Sequence, residues 1–123
     1  MSKYNSQYTG QEIDAGIRPY KIYTALLTQS GADAPSAVVL ENNLGVNVSW
    51  VRNLAGSYKT SNIFVQGKAA VVIGSKDIYT ITAFFFDDFS GYQVHIRTRD
   101  TLGGDALADN CLSDTFVEIR IYP

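Results

Sequence analysis

The carboxylates come first. Asp87 and Asp88 adjoin a turn, and two neighbouring carboxylates can hold a hard cation or move a proton. Adjacent strand residues point to opposite faces, however, and Asp is a common turn former. The pair therefore reads as turn solvation. Asp100, Asp105, Asp109 and Asp114 recur along the next irregular stretch. Calcium takes oxygens from such loops, but this spacing matches no calcium motif, and no metal is expected. His95 is the only histidine and Cys111 the only cysteine. A cysteine nucleophile needs a base beside it, and nothing in the spacing brings His95 there. Cys111 reads as a small buried apolar residue without an internal disulfide. His95 shares a strand face with Gln93, Arg97 and Arg99. That face suits solvent or a neighbouring subunit, or, more sharply, an acidic surface or a sugar. Trp50, Tyr58, Tyr79 and Tyr92 could line an aromatic platform for a glycan, although such residues also serve as core or interface anchors. The candidate binding surface is thus Trp50, Tyr58, Tyr92, His95, Arg97 and Arg99. No phosphate-binding glycine loop, GxSxG elbow or Cys/His cluster occurs. No enzyme activity and no cofactor are expected.

The elements that must position these groups are strands. The chain has 123 residues, 46% apolar and 18% charged, and its aromatic share of 12% favours β structure. Its length fits one domain. The net charge is -2 and the ten basic residues are scattered, so nucleic acid is not an expected partner. The polar N-terminus lacks the shape of a signal peptide, and no apolar run reaches about 20 residues, so no membrane partner is expected.

Residues 1–17 read as a polar leader. Thr9 to Glu12 has the form of a capping box, and Ile13 and Ile17 put one apolar stripe on a short helix suited to assembly or docking. Gly16 weakens the helix and Pro19 ends it. The domain proper is 18–123. Strands are predicted over 19–28, 37–41, 46–52, 56–60, 63–66, 69–73, 78–86, 92–99 and 115–122, separated by Gly, Asn, Asp and Pro turns. Apolar groups occupy both faces of 19–28 and 78–86, and the latter run, IYTITAFFF, is a candidate central strand. About seven to nine such strands predict an antiparallel β-sandwich, jelly-roll-like in form. A face not covered by the domain's own core needs a second cover, and another copy of the chain is the expected one.

IRPYKIYTALLTQSGADAPSAVVLENNLGVNVSWVR (residues 17–52) resembles β-sandwich modules of tailed bacteriophages and prophages, and DNCLSDTFVEIRIYP (109–123) resembles their ends. The leader YTGQEIDAGI is similar to short helical leaders of virion accessory and fibre proteins. The resemblance implies a non-enzymatic structural or accessory protein of the virion: a capsid decoration, head fibre or tail module. It implies homo-oligomers, a trimer by analogy with fibres, and contacts with other virion proteins. A carbohydrate-binding or host-adhesion module, with a host-surface glycan as partner, is the alternative.

Overall fold

The computed structural model describes residues 20–63, 68–75, 78–88, 91–104 and 106–123. The expected leader helix with Ile13 and Ile17, and most of the strand expected over 63–66, lie outside the described residues. Nine strands are present among them: β1 (Lys21–Thr28), β2 (Ser36–Asn42), β3 (Trp50–Leu54), β4 (Ser57–Thr60), β5 (Lys68–Ile73), β6 (Tyr79–Asp88), β7 (Gly91–Asp100), β8 (Ala106–Leu107) and β9 (Thr115–Tyr122). A 3-10 turn covers Thr101–Gly103. The fold is all-β, in two antiparallel sheets. Sheet A has the order β2-β1-β9-β5, and sheet B the order β3-β4-β7-β6 with β8 beside β7.

Period-two burial makes the core. Tyr23, Ala25 and Leu27 of β1 lie in register with Ile119, Val117 and Thr115 of β9, and all six are buried. They pack against Trp50 and Tyr58 and against Val94 and Ile96 of β7, which alternate with outward Gln93, His95 and Arg97. One side of β7 and β9 therefore leaves water while the other is wetter, whereas β1 is buried on both faces at Ile22, Tyr23, Thr24 and Ala25.

Three expectations need correction. The strand over 46–52 begins only at Trp50. Residues 43–49 instead carry the chain from sheet A to sheet B. Asn42 holds this link by accepting from the Leu44 N–H (3.0 Å) and donating to the Val46 carbonyl (3.0 Å). Asn43 Oδ1 accepts from the Ile22 N–H at 2.6 Å, and Leu44 plugs the core. Side chains thus take backbone groups that a strand ladder would otherwise pair. Second, the run over 78–86 is not central: among the described residues β6 ends its sheet, and β7 is the interior strand. The apolar residues of β6 serve two faces. Ile81, Ala83 and Phe85 pack on the core. Phe84 and Phe86 lie outward, against His95. β6 also adjoins β5 of the other sheet and closes that flank. Third, the stretch from Asp100 to Asp114, expected to be irregular, holds a short strand, because Ala106 and Leu107 pair with Asp100 and Arg99.

Candidate functional site

The expected binding residues divide between the interior and one outer face. Trp50 is only 7% exposed and Tyr58 is fully buried. Neither can belong to an exposed glycan platform, because both stand at inward positions of β3 and β4. The Trp50 Nε1–H donates to the Tyr23 hydroxyl at 3.2 Å. Burial pushes the Tyr23 phenol above its usual range. Tyr92 is half-buried at the start of β7. His95, Arg97 and Arg99 do share a face, the outer face of sheet B.

Tyr58 instead belongs to a polar clasp that joins the loop before β9 to both sheets. Asp109 is its centre. Arg52, inward on β3, donates to it from Nε to both oxygens (3.2 Å each) and from NH2 to Oδ2 (2.8 Å). The Gly56 N–H donates to Asp109 Oδ1 at 3.1 Å. The Tyr58 hydroxyl stands 2.6 Å from Asp109 Oδ1 and 2.9 Å from Gln29 Oε1. It has one proton, and the shorter approach to the charged acceptor takes it. Gln29 Oε1 accepts instead from the Asn110 N–H (2.8 Å), while its Nε2 donates to the carbonyls of Gly31 and Asp33. Asn110 returns the tie by accepting from the Gly31 N–H at 2.8 Å.

This chemistry holds protons still. Arg52 first, with Tyr58 and the Gly56 amide, holds the Asp109 carboxyl down at about 2. Burial first, then the bond to Asp109, drives the Tyr58 phenol far above its ordinary range. A permanently charged carboxylate and a permanently protonated phenol suit a fastener, and neither is poised as an acid or base near neutral pH. Cys111, buried beside the clasp, has Sγ 3.5 Å from the Ala108 carbonyl and 3.6 Å from that of Asp109, and burial raises its thiol. Both of these neighbours are carbonyls, which cannot activate it.

Sequence reasoning does not find the clasp, although one signal is legible. Arg52 follows Trp50 by two in an alternating strand, so it must point inward and needs a partly buried anion. Which of the loop aspartates supplies it is not legible. Others go elsewhere: Asp100 accepts from the Leu102 N–H, and Asp114 donates its own N–H to Thr28 Oγ1. Among the described residues no group of three His, Cys, Asp or Glu gathers to hold a metal. A shallow depression of about 250 Å³, lined by Asn42, Gly45, Val46 and Asn47, opens beside the link between sheets and carries no ionisable side chain.

The clasp gives a pH prediction. Asp109 is held below its unfolded value, near 3.8. Its contribution is therefore complete above about pH 4 and is lost as the pH falls toward 2. We expect Asp109→Asn to lower stability at pH 7 by about 1–3 kcal/mol. The gap in Tm between wild type and variant should narrow steadily from about pH 4 to pH 2. A gap independent of pH over that window would contradict the assignment.

On the outer face of sheet B the rings of Phe84 and Phe86 flank His95, with centroids 5.4 and 4.9 Å away. The Arg97 guanidinium lies over Phe84, 5.1 Å from the ring centre. Lys59 of β4 stands opposite His95. His95 Nε2 is 3.2 Å from Gln93 Oε1. Burial first, then Lys59 and Arg97, holds the imidazole below its usual range. The phenylalanines are not among the expected site residues. Their spacing of two on a strand paired with β7 is the available signal.

Comparison of the chain with family models, curated proteins and solved structures finds no match.

Proposed function

We propose that this protein is a non-enzymatic building block of a bacteriophage virion, acting through contacts with copies of itself and with other virion proteins. The resemblance of residues 17–52 and 109–123 to phage modules supports the virion setting. The observation that carries the assembly reading is the edge of sheet A formed, among the described residues, by β2. On this strand Val38, Val39 and Leu40 are 62%, 51% and 56% exposed. Between Ser36 and Leu40 the strand holds no charge. Natural edge strands of monomers are usually guarded by Lys, Pro or a bulge, because unpaired backbone groups invite another strand. The one irregularity here falls at Leu40, leaving residues 36–39 in regular register with β1. Val38 also pairs with Leu26, and Leu26 with Phe116, so an apolar row runs from the edge across the outer face of sheet A. A second copy adding a strand at β2 would pair this edge, and a copy packed face to face on sheet A would cover the row.

A jelly-roll-like winding is the finer fold expected of such a module. A strict jelly roll would send most connections across the sandwich. In this chain β1–β2, β3–β4 and β6–β7 pair as neighbours within a sheet.

The test is solution mass by light scattering. Wild type should form a defined oligomer, with three copies the number suggested by fibre-like proteins. Val38→Lys with Leu40→Lys should shift it to monomer without loss of the fold. A monomeric wild type would overturn the assembly reading. Mass spectrometry of purified phage particles should find the chain, and its absence from them would overturn the virion setting.

A second reading, a carbohydrate-binding or host-adhesion module, has one observation in its favour. It is the aromatic and basic outer face of sheet B, not the buried Trp50 and Tyr58.

A further inference from the structure

We infer that the outer face of sheet B is a binding surface for a carboxylate-bearing polysaccharide. This rests on the second reading above, that the module binds glycan, and names the class of glycan and the residues that take it. It does not depend on assembly through β2.

Charge selects the ligand. Acids outnumber bases in the chain, 12 to 10, yet this face is biased the other way. The outward positions over 93–99 on β7 are Gln93, His95, Arg97 and Arg99, and those over 80–86 on β6 are Thr80, Thr82, Phe84 and Phe86. β4 adds Lys59 opposite His95. Lys59 and Arg97 carry fixed positive charge beside His95, and none of the positions just named is a carboxylate. Burial first, then Lys59 and Arg97, depresses the His95 imidazole, so both cations stand close enough to act on it. An anionic occupant is the one this face complements.

Shape and chemistry narrow the class. β7 is paired on both sides, with β4 and β6, so its backbone cannot take a peptide by strand addition as an edge can. Recognition must come from side chains on an open sheet. Phe84, His95 and Phe86 form a connected row of rings, and Phe86 is 47% exposed. Such rings offer apolar area to the C–H face of a sugar at little entropic cost. Arg97, braced over Phe84, presents a planar fork that matches a carboxylate. Gln93 and Thr82 add hydrogen-bonding capacity for hydroxyls. A single-stranded nucleic acid would also stack and carry charge, but its affinity comes from many phosphates meeting clustered cations. A few cations on a chain of net charge -2 do not make the cluster that such binding needs.

The experiment is affinity electrophoresis of the full chain in gels containing polygalacturonate, alginate or hyaluronate. Dextran and xylan serve as neutral polymers, and oligo-dT and polyglutamate as other anions. We expect retardation by at least one carboxylated polysaccharide, falling with added salt. Arg97→Ala and Phe86→Ser should each weaken it about tenfold. Val72→Ser, exposed on β5 of sheet A, should leave it unchanged. Thermal melts confirm that each variant folds. If Phe86→Ser loses structure, Arg97→Ala together with Lys59→Gln decides the matter. Retardation by neutral polymers alone overturns the anionic assignment but keeps the glycan reading. Binding to none of the polysaccharides overturns both. Stronger binding to oligo-dT or polyglutamate overturns the ligand class. Full affinity in both face variants overturns the location.

Discussion

Gly56→Ala should lower stability by about 3–5 kcal/mol, which is large for the addition of one methyl group. Gly56 sits at φ +69°, where an L side chain is strained. Its added Cβ would stand 2.5 Å from the Ala108 nitrogen and 2.7 Å from the Thr98 carbonyl oxygen. Both atoms are backbone, so no side chain can swing aside. The same point joins three parts of the fold. The Thr98 N–H donates to the Gly56 carbonyl at 2.9 Å, and the Ala108 N–H to the Thr98 carbonyl at 3.0 Å. The Gly56 N–H reaches Asp109. Displacing Gly56 therefore loosens the β3–β4 turn, β7 and the clasp together, with each lost hydrogen bond contributing about 1 kcal/mol. Gly31 supplies the control. It too has positive φ, +58°, but nothing stands within 4 Å of where its methyl group would lie, so Gly31→Ala should cost only about 1 kcal/mol. Chemical denaturation of the two variants separates backbone strain from close approach. Equal losses would show that the approach at Gly56 is not as tight as described.

Trp50→Ala should cost about 3–5 kcal/mol by the same measurement, through lost burial and the cavity left between the sheets. Trp50 is 7% exposed and packs in the cluster that includes Tyr23, Tyr58, Val94 and Ile96. Truncation also removes the donor to the buried Tyr23 hydroxyl. Trp50→Phe isolates that part: most of the volume stays, the N–H goes, and about 1 kcal/mol should be lost. Neither variant should alter retardation by polysaccharide, because the ring lies on the opposite side of sheet B from Phe84 and Phe86. A loss below about 1 kcal/mol for Trp50→Ala would place the ring outside the core and return it to the binding surface.

These two sites mark where local pattern stops being informative. The period of two in TFVEIRIY correctly turns Val117, Ile119 and Ile121 toward the core, and the same rule turns His95, Arg97 and Arg99 away from it. Tyr58, expected with the surface rings, is buried instead. The candidate site is legible only in part. His95, Arg97 and Arg99 carry the right face in the alternation, whereas Trp50 passes for a surface ring because residue type alone does not separate a platform from a core anchor. Asp109 looks like one of several loop acids. Its role depends on Arg52, 57 positions away, and no periodicity spans that distance.

From the sequence alone come the all-β class, the turn positions and the inward and outward alternation, since these follow from side-chain period and backbone preference within a few residues. The tertiary structure decided that, among the described residues, β7 and not β6 lies inside its sheet and β2 is an apolar edge, and that Gly56 must be glycine. The physical reason is the same in each case. Strand order, edges and close approaches are set by which distant segments meet, and the free energy of those meetings is not written in any single segment.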